Sequence, residues 1–437
     1  NVPINVSFTP GFEYGDTSTG ANGPVEEASQ GSTVTPQVAR VTKSNTAPEG
    51  ERTPGPSFPF DYQWQIDVSD AELIENLRVQ DQLPPQVQWT GGAITVSAPT
   101  GNNCSVVDQP GVAPNAGGLV GVECDALLGT TAGTDLQVIV PVYVIDVLDQ
   151  GSGATESITN RVDLSFENRG SAYTDDASSQ LEAKHAALQK IVAGNVLPGE
   201  TLTYTIAFQL TDYTGNPPGG EAFSIVDRLP DGTTFTGTVS LQVNGSSVAV
   251  TPAVVGPDAG GETVIEWDIA TALGGIMPAG SSGALVYQAE INLAYADGSP
   301  VQSADPLNNM ADLAYTLTEG ATGGDATNAP AEIVPNRTDK QVVAPSEQVT
   351  FRLTMDIPGG NTSNAVFTDV LPRPVFDVAS FDINADWSVP PGGVSAANPP
   401  DVSVNTGNNS IEFDWGDVQT ARPETLTVDF VITVSDT

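Results

Sequence analysis

Lysine is rare in this chain, and three of its copies recur in one local pattern. The 437 residues include 54 acidic side chains but only 14 lysines and arginines. Only four are lysines, and Lys43, Lys190 and Lys340 each precede a turn and a segment of alternating apolar residues. The intervals between these three, 147 and 150 positions, indicate three copies of one structural unit.

An aspartate follows each lysine in a second repeated motif, Asp-x-Leu-Pro. The three copies of this motif begin at Asp81, Asp227 and Asp369, and each follows an apolar, strand-like segment. A carboxyl group buried in such a core is held in its neutral, proton-donating form, because burial disfavours the charged form. The aspartates are therefore candidate acids for chemistry at the lysines.

An asparagine completes the set in the first two copies. Asn160 and Asn309 each open a strand-like segment, and they are 149 positions apart. Each has the same parity as the apolar residues after it, so we expect both side chains to point into a core. In the third copy the corresponding asparagine would fall near position 458, after Thr437.

A lysine, an inward asparagine and a shared acid are the components of an intramolecular isopeptide bond. A buried, neutral lysine amine can attack the asparagine amide, while a protonated carboxyl polarises that amide and transfers protons to the departing ammonia. A purely structural alternative remains open, in which the lysine is an edge charge, the aspartate a turn residue and the asparagine a hydrogen-bonding residue. The candidate cross-links are Lys43–Asn160 with Asp81, Lys190–Asn309 with Asp227, and Lys340 with Asp369, which lacks an asparagine.

The elements that must position these residues are β-strands. Glycine (44) and proline (34) are abundant, and short alternating segments follow one another along each copy. The sequence predicts an all-β protein of three tandem Ig-like β-sandwiches, the last lacking its closing strand. One stretch, Ala177 to Lys190, has helical residues, and we expect a short linking helix whose end is strand from Leu188. The predicted domains are an N-terminal strand at 1–15 and sandwiches at 16–168, 169–320 and 321–437.

The first residues of the chain resemble a closing strand that has no place in the first copy. Val2, Ile4, Val6 and Phe8 alternate as the apolar residues of a closing strand do. One chain could donate this strand to the third sandwich of the next chain, which would build a head-to-tail filament of identical copies. Asn1 or Asn5 of the neighbour would then be the partner of Lys340. The alternative is that the chain was cut from a longer array.

Charge and cysteine content limit the environment and the partners. A net charge of −40 excludes nucleic acid as a partner, because phosphate binding requires basic residues. The acidic clusters could bind Ca²⁺, although none has the spacing of a calcium loop and a solvated surface is the favoured interpretation (Asp67/Asp70/Glu72, Asp146/Asp149, Asp175/Asp176). Cys104 and Cys124 predict a disulfide typical of an exported protein, with two free thiols as the alternative. No apolar run is long enough to span a membrane.

Several motifs together resemble a known family. The segment from Lys190 continues with Pro-Gly-Glu-Thr-Leu-Thr-Tyr-Thr-Ile, and Ile-Val-Asp-x-Leu-Pro-Asp-Gly-Thr and Asn-x-Ala-x-Leu-x-Tyr follow it. These motifs resemble the conserved-repeat Ig-like β-sandwich domains of bacterial surface proteins and the related isopeptide-forming domains of pilins and adhesins. The resemblance is clear over 186–316, weaker over 338–437 and weakest over 41–166. It implies tandem sandwiches on a cell surface, with Lys190 as nucleophile, Asp227 as acid and Asn309 as electrophile.

The sequence therefore predicts a structural subunit of an extracellular filament, sheath or stalk at the bacterial cell surface. Such a subunit would assemble by donating its N-terminal strand and would be hardened by Lys–Asn isopeptide bonds. The alternative is a calcium- or carbohydrate-binding adhesin or S-layer segment of a longer surface protein. An enzyme is not expected, because no carboxylate pair, metal motif or nucleophile elbow is present.

Overall fold

The structure is a computed structural model of the chain that describes most of its 437 residues. The described residues exclude 1–3, 9–10, 13–14, 17–20, 23–25, 28–29, 35–36, 114–115, 149–154, 216–217, 303, 335–336, 345–347, 358, 374, 421–422 and 435–437. Tertiary contacts divide the chain into two compact units, residues 1–148 with 155–184, and residues 185–437. The fold is almost entirely β, which confirms the predicted class.

A long β-hairpin, called here the terminal hairpin, opens the chain. Its paired positions run in nearly one register from Ile4–Val34 to Asp16–Ala21. It forms three small two-stranded sheets, which are Ile4–Phe8 with Gln30–Val34, Gly11–Phe12 with Glu26–Glu27, and Gly15–Asp16 with Ala21–Asn22.

The first repeat is a β-sandwich of two sheets whose strands pair antiparallel, except that Glu51–Arg52 pairs parallel with Ser171–Ala183. Period-two alternation of apolar residues along its strands directs side chains such as Trp64 into the space between the sheets. Burying a large apolar side chain in this way contributes about 1.5–3 kcal/mol. Its strands are Ala39–Asn45, Glu51–Arg52, Phe60–Val68, Leu73–Leu83, Val87–Trp89, Thr95–Ser97, Cys104–Asp108, Gly118–Leu128, Leu136–Val144, Glu156–Asn168 and Ser171–Ala183, with a 3₁₀ turn at Pro48–Gly50.

The second repeat has the same plan in two five-stranded sheets. Its core is one continuous cluster of buried apolar residues that includes Trp267 and Tyr287. Its strands are Ala186–Ala193, Thr201–Leu210, Gly220–Leu229, Thr233–Val243, Ser246–Val248, Ala253–Val255, Thr263–Asp268, Ser282–Ile291, Pro306–Leu317 and Thr322–Glu332, with a short helix at Ile269–Ala272.

The third repeat is smaller and its sheets are more broken. A separate cluster around Phe413 and Phe430 forms its core. Its strands are Arg337–Ala344, Gln348–Ile357, Gly360–Thr362, Val366–Val370, Trp387–Ser388, Asp401–Asn405, Ser410–Asp414, Val418–Thr420 and Glu424–Thr433, with a 3₁₀ turn at Val378–Ser380 and a helix at Gly393–Ala397.

Three kinds of element recur and position the candidate site. The lysine strands are Ala39–Asn45, Ala186–Ala193 and Arg337–Ala344, and the aspartate strands are Leu73–Leu83, Gly220–Leu229 and Val366–Val370. The first closing hairpin is Glu156–Asn168 with Ser171–Ala183, and the second is Pro306–Leu317 with Thr322–Glu332. In each complete repeat the first strand of the closing hairpin pairs with the aspartate strand.

The helix expected between Ala177 and Lys190 is wrong. Residues Ser171–Ala183 and Ala186–Ala193 are two strands, and the first of them pairs along its whole length with Glu156–Asn168. Pairing with distant strands overrides the helical propensity of these residues. Apolar residues alternate along both strands, so that Leu181 and Ala183 are buried on one face of the first strand and Leu188 is buried on one face of the second. The sequence predicted a domain boundary between residues 168 and 169. The strand that follows this boundary, Ser171–Ala183, belongs to the first compact unit.

The third repeat differs from the other two at its aspartate strand. On one side, Val366–Val370 pairs with Ser410–Asp414. The aspartate strands of the complete repeats have an equivalent neighbour, which is Gly118–Leu128 in the first repeat and Thr263–Asp268 in the second. On its other side, no strand within the described residues takes the position of a closing hairpin. In the complete repeats, the two strands of a closing hairpin occupy this position. The sequence analysis predicted that the third repeat lacks one closing strand, whereas the comparison with the complete repeats shows a difference of two strands.

Candidate functional site

The first site lies between the two sheets of the first repeat. Lys43 comes from the lysine strand, Asp81 from the aspartate strand and Asn160 from the first closing hairpin. The side chains of Lys43 and Asp81 are 0% exposed, and Asn160 is fully buried. Alternation along three strands therefore brings together the three residues that the sequence proposed as one set.

One carboxylate oxygen gathers the polar groups of this site. Oδ2 of Asp81 accepts hydrogen bonds from Nζ of Lys43, from Nε1 of Trp64 at 3.0 Å and from Nδ2 of Asn160 at 3.2 Å. Since the lysine amine and the asparagine amide donate to the same atom, the two groups that an isopeptide bond would join are neighbours.

Burial moves the lysine and the aspartate towards their neutral forms. Loss of hydration lowers the pKa of Lys43 from 10.5 to about 8, although the charge of Asp81 opposes this shift. Loss of hydration also raises the pKa of Asp81, against the charge of Lys43 and the three hydrogen bonds that Asp81 accepts. Both shifts therefore favour a neutral amine beside a protonated acid.

The second site repeats this arrangement with an added hydroxyl. Nζ of Lys190 donates to Oδ2 of Asp227 at 2.5 Å, and both side chains are 0% exposed. Nδ2 of Asn309 donates to Oη of Tyr287 at 2.7 Å, and Tyr287 and Asn309 also hydrogen-bond the Asp227 carboxyl. Loss of hydration again lowers the pKa of Lys190 to about 8 and raises that of Asp227.

Each buried site contains oxygens without a hydrogen-bond partner. They are Oδ1 of Asp81, Oδ1 of Asn160 and the hydroxyl of Tyr62 in the first site, and Oδ1 of Asp227, Oδ1 of Asn309 and the hydroxyl of Tyr204 in the second. Buried polar atoms are normally paired, so three such oxygens in each of two equivalent sites require an explanation. A proton on the carboxyl would supply a donor for the amide oxygen.

The third site contains the lysine and the aspartate in a more open setting. Nζ of Lys340 lies 2.7 Å from both carboxylate oxygens of Asp369. Their side chains are 37% and 9% exposed, respectively. In the described part of the chain no asparagine joins this pair.

Aromatic rings beneath the lysines are functional residues that the sequence analysis missed. Tyr62, Tyr204 and Phe351 each lie two residues before the strand partner of their lysine, with ring centroids 4.9, 4.9 and 4.2 Å from Nζ. The sequence signal that could have revealed these residues is an aromatic side chain in the strand that follows each lysine strand. Tyr204 pairs with Tyr287 in the second repeat, but Phe351 pairs with Phe430 in the third, so both hydroxyls are lost there.

A second missed feature holds the lysine strands in place. Oδ2 of Asp175 accepts from the backbone N–H of Val41 at 2.9 Å, and Oδ2 of Asp325 accepts from that of Leu188 at 2.7 Å. Both acceptors come from the second strand of a closing hairpin, and each lies fifteen positions before the next repeat's lysine. This constant spacing of fifteen positions is the sequence signal that could have revealed the two aspartates. Asp175, considered above as a calcium ligand, has this structural role.

The remaining predictions have varied outcomes. Cys104 and Cys124 form a disulfide between adjacent strands. Of the proposed donor strand, Ile4, Val6 and Phe8 lie on a strand of the terminal hairpin, and Val2 lies outside the described residues. Within the described ranges, no cluster of three or more metal-ligating side chains occurs and no helix is long and apolar enough to cross a membrane.

Comparison with known proteins finds likeness only in three-dimensional structure. No family model and no curated protein sequence matches the chain. Among solved structures, the full-length major pilin SpaD of Corynebacterium diphtheriae is 11% identical at a TM-score of 0.29, with 77% of this chain and 74% of that chain covered. A 35 kDa C-terminal fragment of a major pilin of Streptococcus agalactiae is 14% identical at a TM-score of 0.28, with 57% and 79% covered.

A backbone pilin of Streptococcus pyogenes, described as a modular three-domain structure, is 11% identical at a TM-score of 0.27, with 91% and 81% covered. The solved structures that this chain resembles are thus pilin and adhesin domains of Gram-positive surface proteins.

Proposed function

We propose that this chain is a structural subunit of an extracellular filament, sheath or stalk at the bacterial cell surface. The observation that carries the proposal is the contrast between two closed repeats and one open repeat. The closed repeats bury a lysine, an aspartate and an asparagine together, whereas the open repeat exposes Lys340 and one side of its aspartate strand. An unpaired strand edge favours pairing with another chain.

The two buried sites are suited to forming isopeptide bonds. Nζ of the neutral lysine attacks Cγ of the asparagine, and the Nζ–Cγ bond forms as the Cγ–Nδ2 bond breaks. Nδ2 leaves as ammonia, carrying a proton that came from the lysine amine. Lys43 would join Asn160 in the first repeat, and Lys190 would join Asn309 in the second.

The aspartate would act as the proton carrier of this reaction. Its raised pKa favours the protonated form, whose O–H can donate to the asparagine amide oxygen and polarise the carbon that is attacked. The unpaired Oδ1 atom of Asp81 supports this assignment, since it is a buried carboxyl oxygen that can carry the proton. The reaction would occur once in each of the two closed repeats, so the chain would modify itself and would not turn over a substrate.

Head-to-tail assembly would use the open third repeat as an acceptor. The N-terminal strand of one copy would add to the free edge of Val366–Val370 in the next copy. A contact between two different surfaces of identical subunits does not close on itself, and it therefore builds a filament.

The experiment that tests the chemistry is an intact-mass measurement on the denatured, reduced chain, followed by peptide mapping. We expect the mass to be lower than the sequence mass by two ammonias. The lysine peptides should be covalently joined to the asparagine peptides (Lys43 to Asn160, and Lys190 to Asn309). An unmodified mass would eliminate the isopeptide bonds and leave non-covalent sandwiches.

A deletion tests the assembly. Removing residues 1–12 should leave soluble monomers with a destabilised third repeat, because the donor is lost and the acceptor stays open. Filaments that persist after this deletion would rule out donation of the N-terminal strand.

A further inference from the structure

We propose that the element which completes the third repeat is two-stranded, namely the whole terminal hairpin of a second copy, and that this joint is non-covalent. The inference rests on the proposed head-to-tail function. It replaces a single donated strand with a hairpin and assigns the register in which that hairpin seats.

The complete repeats show what a closing element must contact. The first strand of each closing hairpin pairs with the aspartate strand, as Val79 pairs with Leu164. The second strand lies against the lysine strand, where Asp175 and Asp325 accept backbone N–H groups and Thr327 accepts the N–H of Lys190 at 3.2 Å. One added strand would therefore satisfy only the first of these two contacts.

The terminal hairpin occupies the corresponding place in chain order. The second strand of each closing hairpin runs directly into the lysine strand of the next repeat. The terminal hairpin likewise leads from Gln30–Val34 into Ala39–Asn45. Its described strands pair with one another and with no strand of the two main sheets of the first repeat. The chain thus carries three hairpins and three sandwich bodies, offset by one.

The acceptor on the third repeat has exposed apolar surface on its lysine strand. Val342 is exposed there, whereas the equivalent residues of the complete repeats, Asn45 and Val192, are half-buried. A single strand beside Val370 would leave the lysine strand uncovered. Coverage of both the aspartate strand and the lysine strand by a hairpin removes more apolar surface from water, which favours the two-stranded donor.

The register of the hairpin follows from counting back from each lysine. Ser179 and Ala329 lie eleven positions before Lys190 and Lys340, and they pair with Asn160 and Asn309, respectively. Eleven positions before Lys43 is Ser32, whose partner in the terminal hairpin is Val6. Val6, and not Asn1 or Asn5, therefore stands at the asparagine position of the donated hairpin.

The third site matches an apolar residue at that position. In the second repeat the amide of Asn309 donates to the hydroxyl of Tyr287. The equivalent residue in the third repeat is Phe430, which together with Phe351 surrounds Lys340 with rings that have no hydroxyl. An amide placed here would have only Asp369 as an acceptor, as Asn160 has Asp81 in the first repeat, whereas a valine needs no acceptor. Without an asparagine, Lys340 keeps its ion pair with Asp369 and no isopeptide bond forms.

Thiol cross-linking between two full-length variants tests both strands of the hairpin separately. The amide of Asn45 donates to Ser179 at 2.8 Å in the first repeat, and the equivalent pair between copies is Val342 with Ser32. Arg228 and Met310 are strand partners in the second repeat, and the equivalent pair between copies is Val370 with Ser7. Chains with one added cysteine, in which Cys104 and Cys124 stay joined as a disulfide, are mixed, allowed to assemble, treated with a short bis-maleimide and separated under denaturing conditions.

We expect Ser32→Cys to cross-link to Val342→Cys, and Ser7→Cys to cross-link to Val370→Cys. The control is Ser32→Cys mixed with Val255→Cys, an exposed position in the second repeat, which should give no cross-link. Cross-linking of the Ser7–Val370 pair alone would overturn the hairpin and leave single-strand donation intact. Cross-linking of neither pair would overturn both the hairpin and the proposed assembly.

Peptide mapping of the assembled wild-type chain tests the non-covalent joint. The Lys340 peptide should carry no cross-link, while the two closed repeats lose their ammonias. A Lys340 peptide joined to the peptide that contains Asn1 or Asn5 would overturn the proposed register, even if the hairpin is donated.

Discussion

The second and third repeats carry the same lysine–aspartate pair in opposite environments. Lys190 and Asp227 are sealed beneath the second closing hairpin, whereas Lys340 and Asp369 have no closing hairpin in the described part of the chain. The comparison shows that residue identity supplies the reactants but that burial decides their chemistry. Desolvation lowers the pKa of Lys190, and only a completed sandwich desolvates it.

The largest expected difference between the two repeats is in amine reactivity. In an Asn309→Ala monomer that lacks residues 1–12, Lys190 keeps its amine and no donated hairpin covers Lys340. A native-state acylating reagent should then label Lys340 readily, because its side chain is 37% exposed, and should leave Lys190 unmodified, because its side chain is 0% exposed. Mass spectrometry of proteolytic peptides reads both sites in one sample. Comparable labelling of the two lysines would show that the second repeat is not sealed.

Removing the aspartate should affect the two repeats very differently. Asp227→Ala leaves a buried lysine without its counter-charge and should destabilise the second repeat by about 3–5 kcal/mol. Asp369→Ala breaks a partly exposed pair and should cost about 1 kcal/mol or less. Asn309→Ala is the matched control, because it blocks the cross-link but keeps the ion pair. Equal losses of unfolding free energy for the two aspartate variants would contradict the comparison.

Alkaline pH should stabilise the closed repeats when they are not cross-linked. In an Asn160→Ala, Asn309→Ala chain, Lys43 and Lys190 titrate at about 8 in the folded state and 10.5 in the unfolded state. Between these values the unfolded chain binds more protons, so the free energy of unfolding should rise with pH, by about 1–3 kcal/mol per lysine. Below pH 8 both states are protonated and this dependence disappears.

Denaturant titrations at several pH values measure this rise. Adding Lys43→Met and Lys190→Met should remove it, and persistence of the rise in that background would assign it to other groups.

The smallest expected effect concerns the hairpin aspartate. Asp325→Ala leaves the backbone N–H of Leu188 without its acceptor and should destabilise the second lysine strand by about 1–3 kcal/mol. Hydrogen exchange of Ala186–Ala193 should accelerate, towards the rate of the third repeat's lysine strand. Asp325→Asn retains an acceptor oxygen and should exchange almost as slowly as the wild type. If the alanine variant is unchanged, the hairpin does not hold this strand.

The amino-acid sequence alone determined the repeat, the all-β class and the residues of the candidate site. Strand alternation has a period of two, so the inward parity of Asn160 and Asn309 followed from counting. The same reasoning failed between Ala177 and Lys190, where local helical propensity competes with pairing to a distant strand. The role of Asp175 and Asp325 as acceptors for the lysine strands was missed because a single acidic residue in an acidic chain carries little information without its partner.

Only the tertiary structure decided which lysines are sealed and what seals them. Exposure depends on residues brought from far along the chain, such as Asn309, which lies 119 positions after Lys190. The loss of both hydroxyls around Lys340 also became visible only when Phe351 and Phe430 were found paired beside it. Local pattern specifies where strands run and which way they face, but desolvation and hydrogen-bond partnership arise from non-local packing, and these set the pKa values on which the proposed chemistry depends.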